Sequence, residues 1–231
     1  MKLRNWEDLP VFMQCDEVRE YYNILLKKKR SLALKRAFDI VLSMIMLLIL
    51  MIPMLIVAIM IKLDSSGPVF YRQERITSYG KRFRIHKFRT MVNHADRIGS
   101  SVTVEGDPRI TKVGERLRNL RIDEIPQLID ILTGNMSFVG TRPEVPKYVK
   151  HYTKEMNATL LLPAGVTSEA SIRYKDEAKL LTASNIDRIY IKEVLPDKMK
   201  YNLQSIRNFS FSGEIMTMIR TVFVVLGKEY K

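Results

Sequence analysis

Cysteine occurs once in 231 residues and histidine three times. Cys15 alone can form neither an internal disulfide nor a thiolate metal cluster, so a reducing compartment is the simpler assumption, and three histidines argue against a zinc site. Acidic residues are also short: 25 Asp and Glu face 38 Lys and Arg, a formal charge of +13. That balance predicts an anionic partner, either nucleic acid, lipid headgroups or a phosphorylated substrate. Internal repeats and low-complexity tracts are absent, and 46% hydrophobic with 27% charged residues excludes a disordered chain. The length fits one catalytic domain, or a modest domain with an appendage.

One segment lacks charge altogether. Ile40 to Ile61 is a run of 22 residues without a charged side chain. It starts too late and runs too long for a secretory signal, so it is expected to stay in the mature protein as a membrane segment. As a straight helix it would rise about 33 Å, which matches a bilayer core. Pro53 lies inside it and divides it into limbs of 13 and 9 residues, each long enough for one leaflet. Both flanks are basic, with Lys27, Lys28, Lys29, Arg30, Lys35 and Arg36 before the run, and Lys62, Arg72, Arg75, Lys81, Arg82 and Arg84 after it. Positive charge marks the cytoplasmic side. A hairpin that enters and leaves the same leaflet satisfies both flanks, whereas a kinked span fits the length equally well.

Beyond Leu63, turn signals stand at Ser65-Ser66-Gly67-Pro68, Ser78-Tyr79-Gly80 and Gly106-Asp107-Pro108. Val69 to Arg72 and Arg82 to Phe88 read as strands joined by a turn, Met136 to Val139 as a further strand, and later segments mainly as helices. Near the end, Ile215, Met218, Ile219, Val222 and Leu226 follow helical spacing and are expected to pack into the core, with contact to the membrane surface as the alternative.

The densest chemical signal runs from Arg116 to Leu128. Ile125, Leu128, Ile129 and Leu132 recur at helical spacing and Gly134 is placed to end that helix, which puts Asp123 and Glu124 at its start. Carboxylates there commonly cap the helix. Two adjacent acids among Arg116, Arg118 and Arg121, with Pro126 in the first turn, equally suit a phosphate site in which one carboxylate attacks phosphorus and the other holds a divalent metal. Lys87 and Arg89 follow a strand, and Arg142 and Pro143 follow another at a rigid turn. The loop from Pro163 to Ser168, with Gly165 and Thr167, has small residues that permit close approach to a ligand.

Taken in order, Lys35-Arg36-Ala37-Phe38-Asp39, the proline-broken run, Gly67-Pro68-Val69-Phe70, Lys87-Phe88-Arg89-Thr90-Met91, Ile122-Asp123-Glu124-Ile125-Pro126-Gln127, Gly134 to Gly140 and Arg142-Pro143 resemble the bacterial sugar transferase family. More specifically they are similar to its small monotopic polyprenyl-phosphate phosphoglycosyl transferases, over roughly residues 35 to 205. The resemblance implies an α+β, mainly helical fold. Its parts would be an N-terminal extension over residues 1–34, a re-entrant membrane helix hairpin over 35–63 marked by Arg36, Asp39 and Pro53, and a cytoplasmic catalytic domain over 64–231 with a small β element and amphipathic interfacial helices.

It also implies transfer of a sugar phosphate from a UDP-sugar to undecaprenyl phosphate at the cytoplasmic face of the bacterial inner membrane, with Mg2+ as cofactor. Asp123 would be the nucleophile and Glu124 a metal ligand, with Asp123 beside it at the metal. Lys87, Arg89, Arg118, Arg142, Pro143, Gly165 and Thr167 would form the substrate and phosphate site. A homodimer is compatible with this reading. Three positions depart from the family pattern: Ile52 stands where a serine usually precedes Pro53, Thr141 replaces the first proline before Arg142, and Pro163-Ala164-Gly165 lacks a basic residue. A non-catalytic membrane scaffold leaves Asp123 and Glu124 without a role. A nucleic-acid binder is disfavoured because acids interrupt the cations and no motif interleaves aromatic with basic residues.

Overall fold

The computed structural model describes residues 1–95, 106–174 and 186–227. Helix α1 spans Asp16–Leu26, begins with two acids that complement the helix dipole, and buries Val18, Tyr21, Tyr22 and Leu25 at helical spacing. These residues share one core with Leu160 and Leu161 and with Leu203 and Ile206, far along the chain. The Tyr21 hydroxyl also donates to Glu155 at 2.5 Å. Each such side chain, fully buried, contributes roughly 1.5–3 kcal/mol, which ties the N-terminal extension firmly to the main body.

Helix α2 runs without interruption from Lys29 to Asp64, with Pro53 inside it. Helical structure thus starts ahead of the boundary expected at residue 35 and continues through the proline. Its first turns carry a polar stripe, Lys35, Asp39 and Ser43, all buried. Lys35 Nζ donates to the Val139 carbonyl at 2.8 Å and pairs with Glu214 at 2.6 Å, and Asp39 accepts from the Phe138 amide at 3.2 Å. Arg36 donates to the carbonyls of Ile131 and Leu132 at 2.6 and 2.9 Å. The same stripe continues through Met46, Leu47 and Leu50, then Met54, Val57, Ala58 and Ile61, which pack on two apolar clusters of the domain. Its opposite face, including Leu48, Ile49, Ile52 and Leu55, is exposed. Both ends of the helix are therefore fixed to one body.

The far end of α2 is held by Arg89. Its guanidinium donates to the carbonyls of Ser65 and Ser66 at 2.6 and 2.9 Å, and to that of Ile61 at 3.3 Å, satisfying the otherwise unpaired end of the helix. Arg89→Ala is expected to cost about 2 kcal/mol of stability, roughly a 4–8 °C fall in Tm, without raising the donor KM. Thermal denaturation beside steady-state kinetics checks this. An unchanged Tm with a raised donor KM would return Arg89 to the phosphate site.

The β elements are short. Strand β1 (Phe70–Tyr71) pairs antiparallel with β4 (Lys87–Phe88), and β2 (Glu74–Ile76) with β3 (Arg82–Arg84). The expected pair of strands is thus two successive two-stranded ladders, and Glu74–Ile76 is a strand that the alternation did not reveal. Strand β5 (Met136–Val139) forms as expected but pairs in parallel with β6 (Ala164–Thr167), a segment expected to be a loop. The small residues there serve the sheet: a Cβ on Gly165 would lie 2.1 Å from the Gly140 amide nitrogen, so the two backbones meet only because both residues are glycine.

Helix α3 spans Lys112–Asn119 and is capped by the Thr111 hydroxyl. Helix α4, Gln127–Leu132, ends at Gly134 with φ +85°, the left-handed residue that the spacing required. After the short helices α5 (Pro146–Val149) and α6 (Glu169–Arg173), α7 (Ile186–Ile189) leads through a π-helical turn, Tyr190–Val194, into α8 (Leu195–Arg207). The last helix, α9, spans Phe211–Val225 and buries only Thr217. The expectation that its apolar face enters the core is thereby corrected. Met216, Ile219, Val222 and Phe223 are exposed.

Candidate active site

Arg121 adopts the left-handed conformation, φ +56°, which is uncommon for a residue with a side chain. It turns the chain sharply after α3 into a single 3-10 turn, Ile122–Glu124. The two acids therefore precede α4 in their own turn, and do not sit on its first residues as helical spacing suggested. Neither one caps α4, since its N-cap makes no side-chain bond. The capping role is set aside by geometry.

Adjacent numbering hides two different environments. Glu124 Oε1 accepts from Lys87 Nζ and from Arg142 Nη2, each at 2.7 Å. Those two cations hold its carboxyl well below the usual glutamate range despite burial, which pushes the other way. Asp123 is buried too, and its Oδ1 makes no hydrogen bond. Burial pushes its carboxyl up, opposed by Lys87, Arg118 and Arg142 and reinforced by the neighbouring Glu124 charge. Burial likewise pulls Lys87 and Arg118 down. One acid is thus neutralised and fixed, and its neighbour, which borders a cleft of about 1410 Å3, keeps a buried oxygen without a hydrogen bond.

The structure gathers Lys87, Arg118, Asp123, Glu124, Arg142 and Pro143 around that cleft. Arg89 also borders it, but its guanidinium is turned to the end of α2 as described. Gly165 faces Gly140, and Thr167 is buried with its hydroxyl 2.7 Å from that of Thr221. Arg36 and Asp39 fasten α2 to α4 and β5 and lie outside the acid cluster. Pro53 lies within the long helix.

Two groups escaped the motif reading. Glu144, next to Pro143, accepts from the Tyr190 hydroxyl at 2.5 Å, and Lys198 Nζ donates to that hydroxyl at 3.1 Å. Arg75 donates to the Pro143 carbonyl at 3.0 Å. Together they brace the turn that carries Arg142. The second group is Asp130, which accepts from both the amide and Nδ1 of His86 at 2.8 Å and so fixes the residue before Lys87. An acid at Asp130, six residues after Glu124 and among the apolar residues of α4, was the available signal.

Among the described residues no group of three or more His, Cys, Asp or Glu side chains is assembled for a metal. Two carboxylates, one of them with a bare oxygen, nevertheless fit Mg2+, which commonly takes one or two carboxylates and completes its shell with water and substrate phosphate oxygens.

Residues 30–228 match the model of a family described as bacterial sugar transferase. Among curated proteins, the chain is 35% identical over 195 residues to a UDP-glucose:undecaprenyl-phosphate glucose-1-phosphate transferase of Escherichia coli (strain K12), covering 82% of this chain and 39% of that protein. It is 31% identical over 196 residues to a UDP-N-acetylgalactosamine-undecaprenyl-phosphate N-acetylgalactosaminephosphotransferase of Aeromonas hydrophila, covering 84% and 44% respectively. An uncharacterized sugar transferase of Bacillus subtilis (strain 168) is 32% identical over 196 residues, which cover 85% of this chain and 89% of the relative. The chain spans less than half the length of the first two.

Proposed function

The chain belongs to the bacterial sugar transferase family, and from that premise we propose that it moves a sugar 1-phosphate from a UDP-sugar to undecaprenyl phosphate and so starts a lipid-linked glycan. The observation that carries this reading is the bare Oδ1 of buried Asp123 beside a Glu124 already neutralised by Lys87 and Arg142. A carboxylate without hydrogen bonds keeps its lone pairs available for attack, and the surrounding cations stabilise charge that develops on phosphate oxygens.

In the first step an Asp123 oxygen attacks the phosphorus that bears the sugar. The bond from that phosphorus to the bridging oxygen breaks, UMP leaves, and an acyl phosphate remains on Asp123. In the second, a phosphate oxygen of the lipid acceptor attacks the same phosphorus, releasing the carboxylate and forming a lipid diphosphate sugar. Lys87, Arg118 and Arg142 bind and orient the diphosphate. Glu124, with Asp123, would hold Mg2+, which supplies charge neutralisation at the diphosphate. Release of labelled UMP from a panel of UDP-sugars, with and without Mg2+, tests the activity. Failure with every donor would defeat it.

The membrane arrangement follows from the same reading. Helix α2 would enter and leave the cytoplasmic leaflet of the inner membrane, with residues 1–34 and the catalytic domain on one side. Three things support this: both flanks are basic, both ends of α2 bond to the domain, and the N-terminal extension shares its core. Single cysteines at Lys29 and Ser78, in a Cys15→Ser background, are both expected to resist labelling from outside intact cells. Labelling of one alone would establish a span. Pro53→Ala is expected to lower activity by altering the helix that frames the site, since a proline inside α2 removes one of its backbone hydrogen bonds and favours a bend there.

A further inference from the structure

The cleft that holds the acids has a second limb of opposite character. Its walls are Met46 of α2, Leu128 of α4, Phe138 and Val166 of the parallel strand pair, and Met218 and Val222 of α9. Ile125, two residues after Asp123, lines the same cleft, so the apolar residues and the acid cluster border one continuous space.

Helix α9 is apolar on two sides. Met216, Ile219, Phe223 and Leu226 form one exposed stripe. Met218, Val222 and Val225, with Thr221, form another that borders the cleft. At about 100° per residue these stripes lie on different faces. A helix apolar on several faces is normally buried, yet α9 buries only Thr217. Its outer stripe and the exposed face of α2 would meet lipid, which leaves the inner stripe to face whatever occupies the limb.

The limb is held open by polar ties, so it does not depend on a loosely attached helix. Glu169 accepts from Thr217 at 3.2 Å and Arg220 at 3.0 Å, and the Thr167 and Thr221 hydroxyls are 2.7 Å apart. An occupant must satisfy two demands at once, an apolar body between α2 and α9 and an anionic head among Lys87, Arg118 and Arg142.

We infer that the limb between α2 and α9 receives the first isoprene units of the polyprenyl phosphate acceptor, bringing its phosphate to Asp123 from the membrane side. This rests on the transferase reading above and specifies where the acceptor binds. It makes Met218 and Val222 determinants of acceptor use, set apart from the cations that hold the diphosphate.

The test uses the purified full chain in detergent with a UDP-sugar that the wild type accepts, and with geranyl and undecaprenyl phosphates as acceptors. Val222→Trp fills the limb and is expected to raise the undecaprenyl phosphate KM by about tenfold or more, with a donor KM shift under about twofold. Val222→Ala widens the limb and is expected to shrink the preference for the longer acceptor. Met216→Trp, on the outer stripe, is expected to change neither KM. Thermal denaturation confirms that each variant is folded. Equal loss of donor and acceptor use in folded Val222→Trp, or an unchanged acceptor KM in both Val222 variants, would overturn the assignment while leaving the transferase reading intact. A wild type that transfers to no polyprenyl phosphate would overturn the transferase reading and this inference with it.

Discussion

Asp123→Asn is expected to abolish transfer, at least about a thousandfold in kcat, and with it any covalent sugar-phosphate adduct. An amide is a very poor nucleophile towards phosphorus, and the neighbouring carboxylate, Glu124, is held by Lys87 and Arg142 through its Oε1. Incubating the wild type with a labelled UDP-sugar and no acceptor should leave hydroxylamine-cleavable label on the protein, mapping to Asp123 by peptide analysis. Burial raises the Asp123 pKa, so the attacking carboxylate is lost on acidification at a pH above the ordinary aspartate range, and activity should fall there.

The same shift fixes a stability expectation. A carboxyl raised on folding contributes stability at low pH that is lost as pH rises through its folded value. Asp123→Asn should therefore unfold at a Tm no lower than the wild type at neutral pH, although it is inactive. Label on Glu124, or turnover without an adduct only when both substrates are present, would defeat the two-step mechanism.

Glu124→Gln should have the second largest effect, of a different kind. It leaves Lys87 and Arg142 facing a neutral amide in a buried site, which is expected to cost roughly 2–3 kcal/mol, moderated because Arg142 is a third exposed. UMP release should fall at least about a hundredfold, with partial recovery in excess Mg2+. The Glu124 pKa is depressed on folding, so its contribution to stability is present above its unfolded pKa and lost as pH falls through the folded value. The gap in Tm between wild type and Glu124→Gln should accordingly close on acidification. A constant gap at every pH, or a rate insensitive to both the substitution and Mg2+, would remove Glu124 from both roles.

Charge, hydropathy and motif order led to the acids and to most of their cations, because a buried phosphate site needs those residue types wherever the chain runs. They were misleading where one residue type serves two purposes. Lys87 lies in a strand and Arg89 just beyond it, and although both border the cleft, the Arg89 guanidinium is committed to the carbonyls at the end of α2. Gly165 reads as a loop residue close to a ligand, whereas the close approach is to Gly140 across a parallel pair 25 residues apart in the chain. The apolar face of α9 reads as core, since helical periodicity records that a face avoids water and not what covers it.

The sequence by itself determined that the chain carries one long uncharged segment with basic flanks, and that paired acids stand among arginines. It also determined that a glycine ends the helix after them. Those features depend on residues near one another along the chain, where period and turn chemistry act directly. Only the tertiary structure decided which acid is bare and which is neutralised, because that follows from where Lys87 and Arg142, 37 and 18 residues away from Glu124, deliver their charges. It decided likewise that α9 stands across the cleft from Met46, since packing between distant segments leaves no local period to read.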